Sequence, residues 1–158
     1  MSSMTDNAPA MFLKVDKIEG DKKIDGFEEA FQILGFEWTD GAKYRDSTGV
    51  QLNITIQSRK GQLGMMSAKK NSVVFEGKIT NTEMSDKDRK KVMVFKFEKG
   101  RCLEIGNAQV PGQPAVPQLC QLFCQKIEAK WDTYDDDGDI VESIPLDLDF
   151  IKGKSQLS

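Results

Sequence analysis

Two runs decide the fold: Met11-Phe12-Leu13-Lys14-Val15-Asp16-Lys17-Ile18 and Ala30-Phe31-Gln32-Ile33-Leu34-Gly35-Phe36-Glu37-Trp38. Each mixes aliphatic, aromatic and charged residues over a short length, as a strand beside a core does. Gly20-Asp21-Lys22-Lys23 turns the chain between them, and Ile24 to Glu29 is a longer connection. A period of two puts Leu34, Phe36 and Trp38 on one face of the second run and Phe31 and Ile33 on the other. A strand apolar on both faces near its start is expected inside a sheet, packed between layers or subunits. Phe12, Leu34, Phe36 and Trp38 are therefore the expected core anchors here, joined by Trp131 from a later strand.

Outward from this pair the pattern stays β. Thr39 to Gly49 (TDGAKYRDSTG) reads as a long polar loop, and Val50 to Ser58 as a strand with Leu52, Ile54 and Ile56 on one face. Gly61 to Asn71 is expected as a loop or one short helical turn. Val73 to Thr80 reads as a strand, and Asn81 to Lys91 as a charged connection or a short helix capped by Thr82 or Ser85. Val92 to Glu98 and Arg101 to Ile105 form an expected hairpin around Lys99-Gly100. The prolines at 111, 114 and 117 make Gly106 to Gln118 a loop, since each removes a backbone donor. Phe123 to Thr133 alternates with Ile127, Ala129 and Trp131 inward. Asp137-Gly138 is a strong hairpin signal leading into Ile140 to Ile151.

The expectation is a mainly β chain, an antiparallel barrel or sandwich of seven to nine strands with one or two short helices. A polar leader over 1–10 and a tail over 152–158 flank a single domain over 11–151. At 158 residues with 39% hydrophobic residues, such a domain needs no disulfide or metal to hold its core.

Net charge is −3 with both signs interspersed, which argues against a nucleic-acid partner. No window approaches the ~18 apolar residues of a membrane span, and Met1 to Ala10 lacks the pattern of a secretory signal. Three cysteines (Cys102, Cys120, Cys124) without a CxxC pair point to a reducing compartment. The absence of histidine removes the commonest general base and metal ligand.

Candidate sites read weakly. In Asp132 to Asp139 (DTYDDDGD), a calcium loop aligned on Gly138 would have Thr133 and Ile144 where ligands are required, so a solvated hairpin turn is the better account. Cys120 and Cys124 cannot complete a zinc site without histidine or a second pair, and read as buried strand residues. Lys87 to Lys91, Arg59-Lys60 and Lys69-Lys70 read as solvated loops, their field diluted by Asp86 and Asp88. Met65-Met66 offers a plastic contact or plain packing. With no nucleophile motif and no phosphate loop, catalysis is not expected, and no cofactor or metal is expected.

FLKVDKIEGDKK followed by AFQILGFEW resembles the opening of the Hcp family, the tube proteins of bacterial type VI secretion. The matching positions are Phe12, Leu13, Lys14, Val15, Asp16, Ile18, Gly20 and Asp21, then Ile33, Leu34, Phe36 and Trp38. A second echo is Ile127-x-Ala129-x-Trp131-x-Thr133-Tyr134 before an Asp-Gly turn. The resemblance implies hexameric rings of β-barrels flanked by a helix, which stack into a tube that a contractile sheath expels. It implies partners accordingly: further copies of itself, sheath, spike and effector proteins, and a bacterial cytoplasmic protein secreted without a signal peptide. The family's stacking loop maps to Thr39 to Gly49, making Lys43, Tyr44, Arg45 and Asp46 the stacking candidates. One departure is plain: the family's helix begins at a Ser-Pro pair, and this chain has no Ser-Pro. A phage tail tube relative and a monomeric β-sandwich binding a ligand or peptide are the rival readings.

Overall fold

The computed structural model describes residues 9–20, 26–85, 88–113, 115–151 and 154–157. Among them are nine strands and one helix: β1 (Ala10–Val15), β2 (Phe31–Tyr44), β3 (Ser47–Ile56), α1 (Arg59–Lys70), β4 (Phe75–Ser85), β5 (Asp88–Ile105), β6 (Gln118–Cys124), β7 (Lys126–Tyr134), β8 (Ile140–Asp149) and β9 (Lys154–Leu157). The chain is mainly β, as its alternation predicts. Most of the expected leader, part of the tail and the turn at 21–23 lie outside the described residues.

Every strand pairing is antiparallel. β4 pairs with β1, β1 with β2, β2 with β3, β3 with β6, β6 with β5, and β5 with β4 again. Hydrogen bonding thus runs in a circuit of six strands, while β7, β8 and β9 extend from β5 outside it, so the barrel is not a regular closed one. The circuit covers much of its members' edges, although β2 beyond Ile33 pairs with β3 alone among the described residues.

The core fills this circuit with the side chains that alternation assigned to it. Leu52, Ile54 and Ile56 of β3, Phe31 of β2, Leu13 of β1, Ile79 of β4 and Phe95 of β5 are all 0% exposed. β1 is buried on both faces. Leu13 and Val15 join the main core, while Ala10 and Phe12 join Phe27 and Ala30 in a second cluster, the Phe12 and Phe27 rings stacked at 4.4 Å.

Leu34 corrects one expected anchor. The β2–β3 register shifts between Ile33 and Gly35, so Leu34 is the extra residue of a β-bulge and is 53% exposed. A bulge shifts the phase of alternation by one. Phe31 and Ile33 before it and Phe36 and Trp38 after it consequently all turn toward the main core, instead of toward opposite faces. Phe36 and Trp38 are half-buried, with ring centroids 4.9 and 5.8 Å from that of Phe95. Trp131, opposite Met93, is likewise half-buried against the core.

The segment read as a loop or single turn is the 12-residue helix α1. Ser58 caps it, its Oγ accepting from the Gly61 amide at 3.1 Å. Gly61, Met65 and Ala68 face inward at helical spacing. A Cβ on Gly61 would lie 2.7 Å from the Phe31 ring, and one on Gly64 would collide with Ile18. These glycines, each costing about 1 kcal/mol of helix propensity, let the helix lie flush on the barrel. Their helix-breaking look is why the sequence hides it.

Two further expectations change. Asn81 to Lys91 is neither a connection nor a helix: β4 and β5 run through it as a hairpin, pairing Asn81 with Met93 and Ser85 with Asp88, around residues 86–87 that are not described. Nor is there a hairpin at Lys99-Gly100. β5 continues through it, Glu98 pairing with Lys126 of β7 and Arg101 with Phe123 of β6. Lys99, at φ 57, marks a kink in one long strand. Residues 106–113 and 115–117 lie outside any strand or helix, as the expected proline loop requires, with Gln118 already the first residue of β6. The hairpin turn at Asp137-Gly138 is as expected.

Phe95→Ala is expected to cost about 3–5 kcal/mol in chemical denaturation, from lost burial and the cavity left under Phe36 and Trp38. Leu34→Ser should change stability by no more than about 0.5 kcal/mol. Equal losses at the two positions would contradict the bulge.

Candidate functional site

The segment read as a stacking loop is a paired arm. β2 and β3 stay paired from Thr39–Gln51 to Tyr44–Ser47, with a register shift at a second bulge between Asp40 and Ala42. The polar composition that suggested a loop is compatible with pairing, because backbone groups form the ladder whatever the side chains. Arg45 and Asp46 form the two-residue turn at the tip, with Arg45 at φ 55, the left-handed region that favours glycine.

The arm is clamped beside its tip. The Tyr44 ring lies 5.5 Å from that of Phe123 on β6, with the guanidinium carbons of Arg45 and Arg101 at 5.1 and 5.5 Å from its centroid. Gly49 makes room for Phe123, whose ring would meet a Cβ there at 2.7 Å. Of the four stacking candidates, Lys43, Arg45 and Asp46 are exposed, while Tyr44 is half-buried and positions the tip.

Two exposed apolar patches went unrecognised in the sequence. The first is Leu34 with Leu119 (54% exposed), which lie on β2 and β6 either side of Thr55 on β3. The second is Ile140, Val141 and Ile144, each above half exposed, in the first half of β8. That half pairs with β7 alone among the described residues, since β9 reaches only Leu146 to Asp149. It is an open strand edge carrying apolar side chains, a template for pairing with another chain. The regular alternation of Ile144, Leu146 and Leu148 concealed it, because only where neighbouring strands end does a position expected inside become exposed.

Charge is also organised. Lys14, Lys78 and Lys96 stand opposite one another across β1, β4 and β5, followed in the same row by Glu128 and Asp147. No ion pair among the described residues involves those three lysines. Burial, then the neighbouring Lys91, Lys96 and Lys14, push the Lys78 ammonium below the usual lysine range. Lys78 and Lys96, with Arg89, Lys91 and Lys130, flank a cleft of about 790 Å³ that Glu128, Asp132 and Asp147 also line. The basic residues at 89–91 therefore belong to a strand, and those at 59–60 and 69–70 to α1, in place of the expected loops.

The remaining candidates take their plain readings. Asp135 Oδ1 accepts from the amides of Asp137 and Asp139 at 2.9 and 3.0 Å, closing the β7–β8 turn. The described residues contain no group of three or more side chains placed to hold a metal ion, and no described helix is long and apolar enough to cross a membrane. Cys120 faces Cys102, not Cys124.

No family model matches the sequence, and no curated protein matches it. Solved structures do match the fold. A structure described as a type six secretion system protein is 16% identical, with a TM-score of 0.78 over 94% of this chain and 100% of its own. Hcp1 from Salmonella typhimurium is 13% identical, TM-score 0.74, over 94% of this chain and 99% of its own. Hcp3 from Pseudomonas aeruginosa, described as a secreted protein, is 12% identical, TM-score 0.60, over 86% and 97%. The chain has the fold of these proteins over 86–94% of its length, in agreement with the resemblance that its opening strands carry.

Arg45→Gly is expected to be neutral or to stabilise by up to about 1 kcal/mol, because glycine adopts the tip conformation without strain. Arg45→Val should destabilise by about 1–2 kcal/mol. Thermal unfolding of both variants checks this; a tip that tolerates valine as well as glycine would contradict the turn geometry.

Proposed function

We propose that this chain is a divergent Hcp-type tube subunit of a type VI secretion, or related contractile injection, system. Copies close into hexameric rings, the rings stack, and the tube is expelled from the bacterial cytoplasm without a signal peptide, with sheath, spike and effector proteins as partners. The observation that carries this reading is the likeness of fold to Hcp proteins over nearly the whole of both chains. The role is structural, not catalytic.

The surface supports it. A ring needs a head-to-tail contact between two different patches of one subunit, unlike a twofold dimer, which uses one patch twice. The open edge of β8 and the Leu34–Leu119 strip are two such patches, on strands well separated in the sheet order. In this reading the edge of one copy meets the outer β2–β3–β6 face of the next. The clamped arm, with Lys43, Arg45 and Asp46 displayed at its tip, makes the contact from ring to ring.

Light scattering after size exclusion is expected to give a species near six times 17.7 kDa. Val141→Asp with Ile144→Asp should reduce it to monomer without unfolding it. Deleting Lys43 to Asp46 should leave rings whole while abolishing stacks in electron micrographs. A wild-type monomer at every concentration would refute the assembly and favour a monomeric binding module.

A further inference from the structure

We infer that Cys102 and Cys120 form a dithiol site for small-molecule disulfides, such as oxidised glutathione, and close to an internal disulfide that locks β5 to β6. The two Sγ atoms lie 3.8 Å apart, both side chains buried. They sit on paired strands on either side of a β-bulge. The β5–β6 register runs Cys102–Leu122 and then shifts before Glu104–Gln121 and Ile105–Cys120. Leu122, opposite Cys102, and Cys120 are two apart on β6 and so share a face, which lets the two sulfurs meet at a distance that a modest approach would close to a disulfide. Cys124, the third thiol, lies beyond Leu122 opposite Val50 and has no sulfur partner.

The pair is chemically asymmetric. Cys102 keeps 7% exposure and Cys120 none. Lys69, ion-paired with Glu104 at 2.8 Å, adds positive charge near Cys102. Hydrogen bonding with Cys120 favours the Cys102 thiolate, burial opposes it and that ammonium adds to it, with the net direction downward, whereas the same bond and burial hold Cys120 protonated. Burial pushes Cys124 up to about 12, leaving it inert.

The order of steps follows. The Cys102 thiolate attacks one sulfur of oxidised glutathione, forming a mixed disulfide and expelling glutathione thiolate. Cys120 gives its proton to solvent and attacks Cys102 Sγ, expelling the second glutathione thiolate. Two protein thiols are oxidised and one glutathione disulfide is reduced to two thiols. The bond spans 18 residues, enclosing the proline loop over 106–117. That loop forms one wall of a groove of about 320 Å³ whose other wall is α1, through Gln62, Leu63 and Met66. Oxidation therefore staples the loop at its base, and a protein passing from a reducing to an oxidising medium acquires the staple without other change. This inference stands apart from the tube reading.

The test is incubation of the full chain with oxidised glutathione, followed by intact mass and peptide mapping. The expected product has lost two hydrogens, retains one free thiol at Cys124, and links the Cys102 and Cys120 peptides; its thermal midpoint is raised and reverts with dithiothreitol. Cys120→Ser should stop at a stable glutathione adduct on Cys102, Cys102→Ser should give neither product, and Cys124→Ser should behave as wild type. Brief iodoacetamide labelling of the unmodified protein, which needs no variant, should mark Cys102 first. Three free thiols after prolonged incubation, a disulfide involving Cys124, or first labelling at Cys120 would overturn the assignment.

Discussion

The structure depends on how β5 satisfies its backbone. An 18-residue strand exposes a long row of amides and carbonyls on each side, and leaving them unpaired in a buried setting costs more than any side-chain contact returns. β5 pairs with β4 along one side, and with β7 and then β6 along the other. β6 and β7 lie end to end beside it, interrupted only at Gln125, whose amide bonds the Glu98 carbonyl at 3.1 Å. This one strand closes the six-strand circuit and also carries the three-strand extension. The core residues Phe95 and Phe97 sit on it, as does Cys102.

Side-chain packing then refines what the ladder permits. Helix α1 lies close because two glycines remove the atoms that would hold it away, and the arm is fixed because Tyr44 covers Phe123. In both cases a small residue on one element meets an aromatic or branched residue on another, the complementarity expected of close-packed interiors. The same economy leaves Leu34 outside: a single extra residue in β2 exposes one leucine and turns the next two aromatics inward.

Much of the fold was legible because its strands alternate and its turns use residues with a mechanism. Leu52, Ile54 and Ile56 could only be one face of a strand, and Asp137-Gly138 only a turn. What failed has a common cause. Gly61, Gly64 and Lys99-Gly100 looked like local breaks, yet each is set by a contact distant in sequence, so no local pattern could reveal it. The charged stretch from Asn81 to Lys91 resembled a helix cap and solvent-facing turn because Thr82 is polar. In the fold Thr82 is 1% exposed, its hydroxyl donating to the Ala10 carbonyl at 2.6 Å and accepting from Arg89. The arm was located in the sequence but given the wrong backbone. The apolar edge of β8 was invisible for a deeper reason, since exposure there depends on where β9 stops.

The row of Lys14, Lys78 and Lys96 has a consequence of its own. Like charges placed directly opposite on neighbouring strands work against the sheet that holds them. Glu128 stands opposite Lys96 at the end of the row, and none of the three lysines forms an ion pair among the described residues. Dissolved ions screen such repulsion within a Debye length of about 8–10 Å. Over this face, then, added salt relieves the sheet, the reverse of its effect on a surface held together by ion pairs. Ionic strength becomes a quantity that the barrel feels from outside, and a dilute medium is the one in which this wall is under most tension.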